Sequence, residues 1–149
     1  MSPKEIEETC TFSHIELNVL DLETSLEFYL KTLSPLGFRL ADKENGEFAR
    51  LTNGKDFVIA LSSTEERFQD LKYHRKARGL GHFAISVPTN KCVDEMEKHL
   101  LSLNIKPLGE GKIELGYRRG YYCVLFEDPD RIMIEIVCHD PFYFSYDSE

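Results

Sequence analysis

The chain has 149 residues, 42% of them apolar and 30% charged, with a formal net charge of −8. That composition suits a globular protein with its own core. It excludes a large nucleic-acid footprint, which needs a basic stripe. It also excludes a membrane span, because no run approaches the roughly eighteen apolar residues one requires.

The opening segment MSPKEIEETC is acidic and has no apolar run, so no secretory signal is expected and the cytosol is the expected compartment. The four cysteines, Cys10, Cys92, Cys123 and Cys138, form no CxxC pair. They read as reduced residues, mostly buried, rather than a zinc knuckle or a disulfide framework.

The first element is FSHIELNV, residues 12–19. Its alternation puts Ile15, Leu17 and Val19 on one face of a strand and His14, Glu16 and Asn18 on the other. Asp21 is a candidate N-cap for a helix whose stripe is Leu22, Leu26, Tyr29, Leu30 and Leu33, ended near Gly37. Three strands follow, FRLAD, EFARL and FVIALS, with NGKD as a tight turn before the last. Ser63 with Glu66 offers a capping box for a short helix. The basic stretch KYHRKARG reads either as a solvated linker or as an anion-binding flap.

A second strand of the same kind, His82–Val87, begins 68 residues after the first. With that shift HIELNVLDLETSLEFYLKTLSPLGFRL lies over HFAISVPTNKCVDEMEKHLLSLNIKPL without a gap. Ile15 meets Phe83, Leu17 meets Ile85 and Val19 meets Val87. A helix capped by Thr89 or Asn90 presents Val93, Met96, Leu100 and Leu103, and strands follow near Ile105–Leu108, in YYCVLF and in IMIEIVC. An internal repeat of this length reorganises the whole reading. The expected fold is α+β, with tandem βαβββ modules forming a curved mixed sheet around a central cleft. Module one spans about 12–63, the linker about 64–80 and module two about 81–139 of a single domain covering 1–149.

The repeat gives the alternation a meaning. One strand face packs on each module's helix, and the other carries His14, Glu16, Asn18, His82 and, on the last strand, Glu135. Two imidazoles and a carboxylate suit Fe(II), Mn(II), Zn(II) or a similar ion, with positions left open. Either histidine alone reads equally as a surface or core residue. A carboxylate interrupting IMIEIV is costly in an apolar core unless it is paired or metal-bound.

Taken together, SHIELNVLDLETSLEFY, GLGHFAISV and FEDPDRIMIEIV resemble the vicinal oxygen chelate superfamily. That superfamily includes glyoxalase I, fosfomycin- and bleomycin-resistance proteins, extradiol dioxygenases and methylmalonyl-CoA epimerase. The resemblance covers roughly Phe12 to Cys138. It implies one divalent ion (Fe, Mn, Zn or Ni) on His14, His82 and Glu135. Aligning FVIALSS with IMIEIVC sets Ala60 opposite Glu135, where glyoxalase I uses a protein ligand, so that activity is not expected. A second departure is Arg131, where the family usually has Gly in a turn that often needs positive φ.

The resemblance therefore implies a metal-dependent lyase, isomerase or ring- or epoxide-opening enzyme on a small oxygen-chelating substrate. The alternatives are an Fe(II) extradiol-type dioxygenase and a metal-free drug-binding resistance protein. Phe48, Arg50, Tyr121 and Cys123 are expected to face the cleft. Arg50 is a candidate anion partner, or equally a packing or rim residue, and Tyr121 reads first as a packing or rim residue and otherwise as a proton or hydrogen-bond donor. Glu16 is a candidate general base, or else a salt-bridge partner of Arg50. Cys123 reads as a small packing residue and His139 as a rim residue. Tyr117 and Arg118 are expected in a loop over the cavity mouth. A homodimer is expected, with modules possible either side by side in one chain or swapped between two.

Overall fold

In the computed structural model, the described residues are 12–55, 57–109, 113–114 and 120–139. Strand β1 (His14–Val19) leads into helix α1 (Leu22–Leu33). Asp21 caps the helix, its carboxylate accepting from the Thr24 backbone N–H at 2.7 Å. Leu22, Leu26, Tyr29 and Leu33 are its buried stripe. A single 3-10 turn, Ser34–Leu36, extends the helix until Gly37 stops it in the left-handed region at φ 83°.

Strands β2 (Arg39–Glu44), β3 (Phe48–Thr52) and β4 (Val58–Ser63) complete the first sheet, in the order β1-β4-β3-β2. Here β1 runs parallel to β4, and the β2-β3-β4 meander is antiparallel. The second sheet repeats this plan. Strand β5 (Phe83–Ser86) leads to helix α2 (Asn90–Ser102), then β6 (Ile113–Glu114), β7 (Tyr122–Glu127) and β8 (Met133–Cys138). The strand order is β5-β8-β7-β6, with β5 parallel to β8.

The core lies between each sheet and its helix. Leu17, Val19, Phe83 and Val87 are buried, with Ile134 and Ile136 of β8 beside them. Ile15 and Ile85 are partly buried against the same cluster. The expected apolar face is therefore the helix-facing one. His14, Glu16, Asn18, His82, Ala84 and Ser86 are exposed on the other.

Three expectations change. Residues 105–108 form no strand, and the partner of β7 is β6. Asn104 turns the chain at φ 59°, and Pro107 lacks the N–H a ladder needs. Ser63 caps no helix. It ends β4 and donates to the Gly46 carbonyl, while the short helix is a 3-10 turn, Glu66–Phe68, without a side-chain cap. Tyr117 and Arg118 lie outside the described residues.

The modules meet on the helix side. Tyr29 of α1, fully buried, donates to Asp128 Oδ2 at 2.9 Å, and the Leu20 backbone N–H donates to Asp130 Oδ2 at 3.1 Å. Phe28 packs on Phe126 with ring centres 6.2 Å apart, and His99 Nε2 lies 2.8 Å from the Lys31 carbonyl oxygen. Helix α1 thus covers one face of its own sheet and also touches module two.

Candidate metal centre

On module two the polar face gathers around Glu135. Strand β8 runs between β5 and β7, so the side chain is only 3% exposed. Direct pairing sets Ala84 and Leu125 on either side of it. Both carboxylate oxygens have partners: Tyr121 Oη donates to Oε1 at 2.5 Å, and His82 Nε2 lies 3.0 Å from Oε2. The Tyr121 ring stacks on His139, with centroids 6.3 Å apart. Cys123 is buried beside the carboxylate. Burial first, then the Glu135 charge and hydrogen bond, push its thiol up to about 12. It is therefore a neutral thiol packing against Glu135, with no nucleophilic character at neutral pH.

On module one the equivalent row is Glu16, Ala60 and Arg50, paired directly across β1, β4 and β3. His14, Glu16, Phe48, Arg50 and Ala60 line a depression of about 230 Å³, to which module two contributes no residue. His14 Nδ1 lies 3.0 Å from Ser13 Oγ. Glu16 Oε1 accepts from Ser62 Oγ at 2.6 Å. Arg50 engages Asp42 with both Nε, at 2.8 Å, and a terminal nitrogen. Glu16 and Arg50 form no salt bridge. They stand two strands apart, about 9.6 Å by the usual spacing, whereas Asp42 is on the adjacent strand.

The structure thus brings His82, Glu135, Tyr121 and Cys123 together on one sheet, and His14, Glu16, Phe48 and Arg50 on the other. His14 does not join His82 and Glu135. Among the described residues, no three histidine, cysteine or carboxylate side chains gather as a metal ion requires. The repeat identifies equivalent positions, but equivalence does not gather them into one cluster within this chain. A larger cavity of about 560 Å³ lies elsewhere, between the linker and the turn at residues 129–132, and touches none of His14, His82 and Glu135.

The residues present fit a divalent ion in part. His82 offers Nε2, the atom nearest Glu135, and a buried carboxylate beside it is a hard oxygen donor. Their 3.0 Å separation is also about that of adjacent ligands on a six-coordinate ion with bonds of about 2.1 Å. One chain supplies this pair without a third such donor among the described residues. The carboxylate–tyrosine contact was left open by the sequence, where Tyr121 also read as a packing or rim residue.

Comparison with known proteins agrees with this architecture. The sequence model of the Glyoxalase/Bleomycin resistance protein/Dioxygenase superfamily matches residues 11–136. The chain belongs to that superfamily. Protein YqjT of Bacillus subtilis (strain 168), itself uncharacterized, is 33% identical over 129 residues, covering 83% of this chain and 95% of the relative. A lactoylglutathione lyase of Pseudomonas putida is 27% identical, covering 87% of this chain and 86% of the enzyme. Among solved structures, a candidate glyoxalase from Bacillus halodurans superposes with a TM-score of 0.74 at 32% identity, covering 84% of this chain and 92% of that one. The fosfomycin resistance protein FosX of Listeria monocytogenes, solved as a mutant with Mn(II) and a dihydroxypropylphosphonic acid, has the same fold. Its TM-score is 0.67 at 16% identity, covering 91% of this chain and 95% of that one.

Proposed function

We propose that this chain is a divalent-metal-dependent enzyme of the lyase, isomerase or ring-opening kind, acting on a small substrate that chelates through two oxygens. The observation that carries the reading is the His82–Glu135 pair: a carboxylate 3% exposed, with both oxygens engaged, beside an accessible imidazole nitrogen. A charge buried this deeply costs several kcal/mol unless it is paired or ligated. FosX was solved with Mn(II), which supports the same cofactor class here.

His82 and Glu135 would hold the ion from one chain and His14 from a second, a reading supported by the lack of a three-donor cluster among the described residues of one chain. A homodimer with two shared sites follows. When bound, such an ion acts as a Lewis acid on a substrate oxyanion. The chain's own residues do the rest. Tyr121 fixes the Glu135 carboxylate and can pass a proton to a substrate oxygen. Phe48 and Arg50 form the wall beside His14, and the Asp42 pair holds the Arg50 fork in one orientation. Glu16 is the exposed carboxylate nearest His14 along β1 and is placed to take a substrate proton.

The test is elemental analysis and equilibrium dialysis of the purified protein with Mn, Fe, Ni and Zn. The wild type should hold one ion per chain, and His82→Ala should lose it, since two remaining donors hold such ions poorly. Unchanged stoichiometry in His82→Ala would overturn the site. Aerobic turnover of catechols by the Fe(II)-loaded protein would move the assignment to a dioxygenase. Sedimentation should give a dimer.

A further inference from the structure

The two strand registers carry information the repeat alone does not. In module one Glu16 of β1 is paired with Ala60 of β4, and in module two Ala84 of β5 is paired with Glu135 of β8. The 68-residue shift sets position 16 over position 84, so the registers independently set 60 over 135. Each module therefore has the same two adjacent positions on its polar face, filled by one glutamate and one alanine. In module two the glutamate is on the last strand. In module one the two residues have changed places.

The exchange keeps a carboxylate in the same row of the sheet. Neighbouring strands lie about 4.8 Å apart, and a glutamate side chain is long enough to reach over an adjacent alanine. Ala60 carries only a methyl group and offers no donor of its own to the depression that it lines. Glu16, Ala60 and His14 line the same depression. Glu16 and His14 are two residues apart on β1 and so share its face.

Glu16 is also free to bind. Its Oε1 accepts a hydrogen bond from the neutral Ser62 hydroxyl. Among the described residues its Oε2 has no ionic or hydrogen-bond partner, and the nearest basic side chain in the row, Arg50, is held by Asp42. Glu135, by contrast, has side-chain partners on both oxygens.

We propose that Glu16 replaces the side-chain donor missing at residue 60, and that it is the second module-one ligand, beside His14, of the divalent ion. The inference rests on the metal reading above and goes beyond it. The donor set becomes two imidazoles and two carboxylates, with one carboxylate delivered from the first strand instead of the fourth. Such a ligand does what a general base that never touches the ion does not: it changes how tightly the metal is held.

The experiment uses the full chain, stripped of metal, titrated with Mn(II) and with Zn(II) by calorimetry, with Mn(II) also followed by electron paramagnetic resonance. Four proteins are compared: wild type, Glu16→Gln, His82→Ala, and the double variant Glu16→Ala with Ala60→Glu. Glu16→Gln should bind at least tenfold more weakly at unchanged stoichiometry, with an altered Mn(II) spectrum. The double variant should recover wild-type affinity, because it restores the carboxylate on β4. Circular dichroism melts check that each variant folds; Glu16 is exposed, so Glu16→Gln carries the test even where the buried position 60 rejects a carboxylate. Wild-type affinity in Glu16→Gln, together with loss of binding in His82→Ala, would overturn the Glu16 assignment and leave the metal reading standing. No binding by the wild type would overturn both.

Discussion

Asp128 should make the protein less stable as the solution turns from mildly acidic to neutral, the reverse of ordinary acid denaturation. Its carboxyl is buried where α1 of module one meets the turn before β8, accepting from Tyr29 Oη and from the backbone N–H groups of Asp130 and Ile132. Burial outweighs these donors and raises the group from 3.8 to about 6. A native carboxyl raised above its unfolded value binds the proton more tightly when folded. The native chain then holds more protons than the unfolded chain between pH 4 and 6, and stability falls as pH rises through that window. The change corresponds to about 3 kcal/mol for a single group. Asp128→Asn removes the titration. Its amide oxygen still accepts from Ile132 and Asp130, and its nitrogen donates to Tyr29 Oη, so the contact survives. Urea unfolding at half-unit steps from pH 4 to 7 measures the effect. The stability difference, variant minus wild type, should grow by about 2–3 kcal/mol from pH 4 to 7. Asp21 and Asp42 are held below the usual range, by the Thr24 backbone hydrogen bond and the Arg50 hydrogen bond, and act with the opposite sign at lower pH. They cancel in the difference. Parallel pH profiles for the two proteins would refute the reasoning.

Leu17→Asp, at a position 4% exposed, should unfold the protein, at a cost of at least roughly 4 kcal/mol, while Asn18→Ala on the other face should leave the melting temperature within a degree or two. A benign Leu17→Asp in a thermal melt would sink the strand-face assignment. Tyr29→Phe should cost about 1.5–3 kcal/mol at pH 7.5 and less at pH 4.5, because the lost donor serves a charged acceptor only at the higher pH; equal losses in urea unfolding at both pH values would contradict this. Arg131 sits at φ 67°, so Arg131→Gly should stabilise by up to about 1 kcal/mol, read as a small rise in the thermal midpoint, with a clear fall counting against left-handed strain at that turn.

The alternation of β1 and β5 was legible because a period of two leaves only one way to bury Leu17, Val19, Phe83 and Val87. The caps Asp21 and Thr89 were legible because a cap is a local hydrogen bond, here to Thr24 and Cys92. Strand β6 was not, because the apolar residues at 105–108 mimic a strand that Asn104 and Pro107 prevent. The Arg50–Asp42 pair was equally hidden. It depends on a hairpin register that shifts between Leu40 and Asp42, and no spacing in the sequence encodes such a bulge. The contacts of Tyr29 with Asp128 and of Leu20 with Asp130 join residues about a hundred positions apart, and each polar partner read locally as turn chemistry.

The candidate site divides along the same line. The repeat predicts that His14 and His82 are equivalent and that Glu135 shares the polar face, and the structure puts each on that face. Equivalence under a repeat says nothing about whether two equivalent residues meet in one chain. That is decided by which surfaces of the modules pack, and here the choice is made by α1: Tyr29, Phe28 and the Lys31 carbonyl all engage module two. Once the helices occupy that contact, His14 and Glu16 stay on one sheet and His82 and Glu135 on the other. A buried Glu135 and an exposed Glu16 follow directly, since β8 is flanked by β5 and β7 under its own module's cover, whereas β1 is an edge strand of its sheet. On the open face of that edge strand His14 and Glu16 are exposed, with hydroxyl contacts to Ser13 and Ser62 respectively. Under the proposed shared site, a second chain presenting His82 and Glu135 would complete a donor set with them.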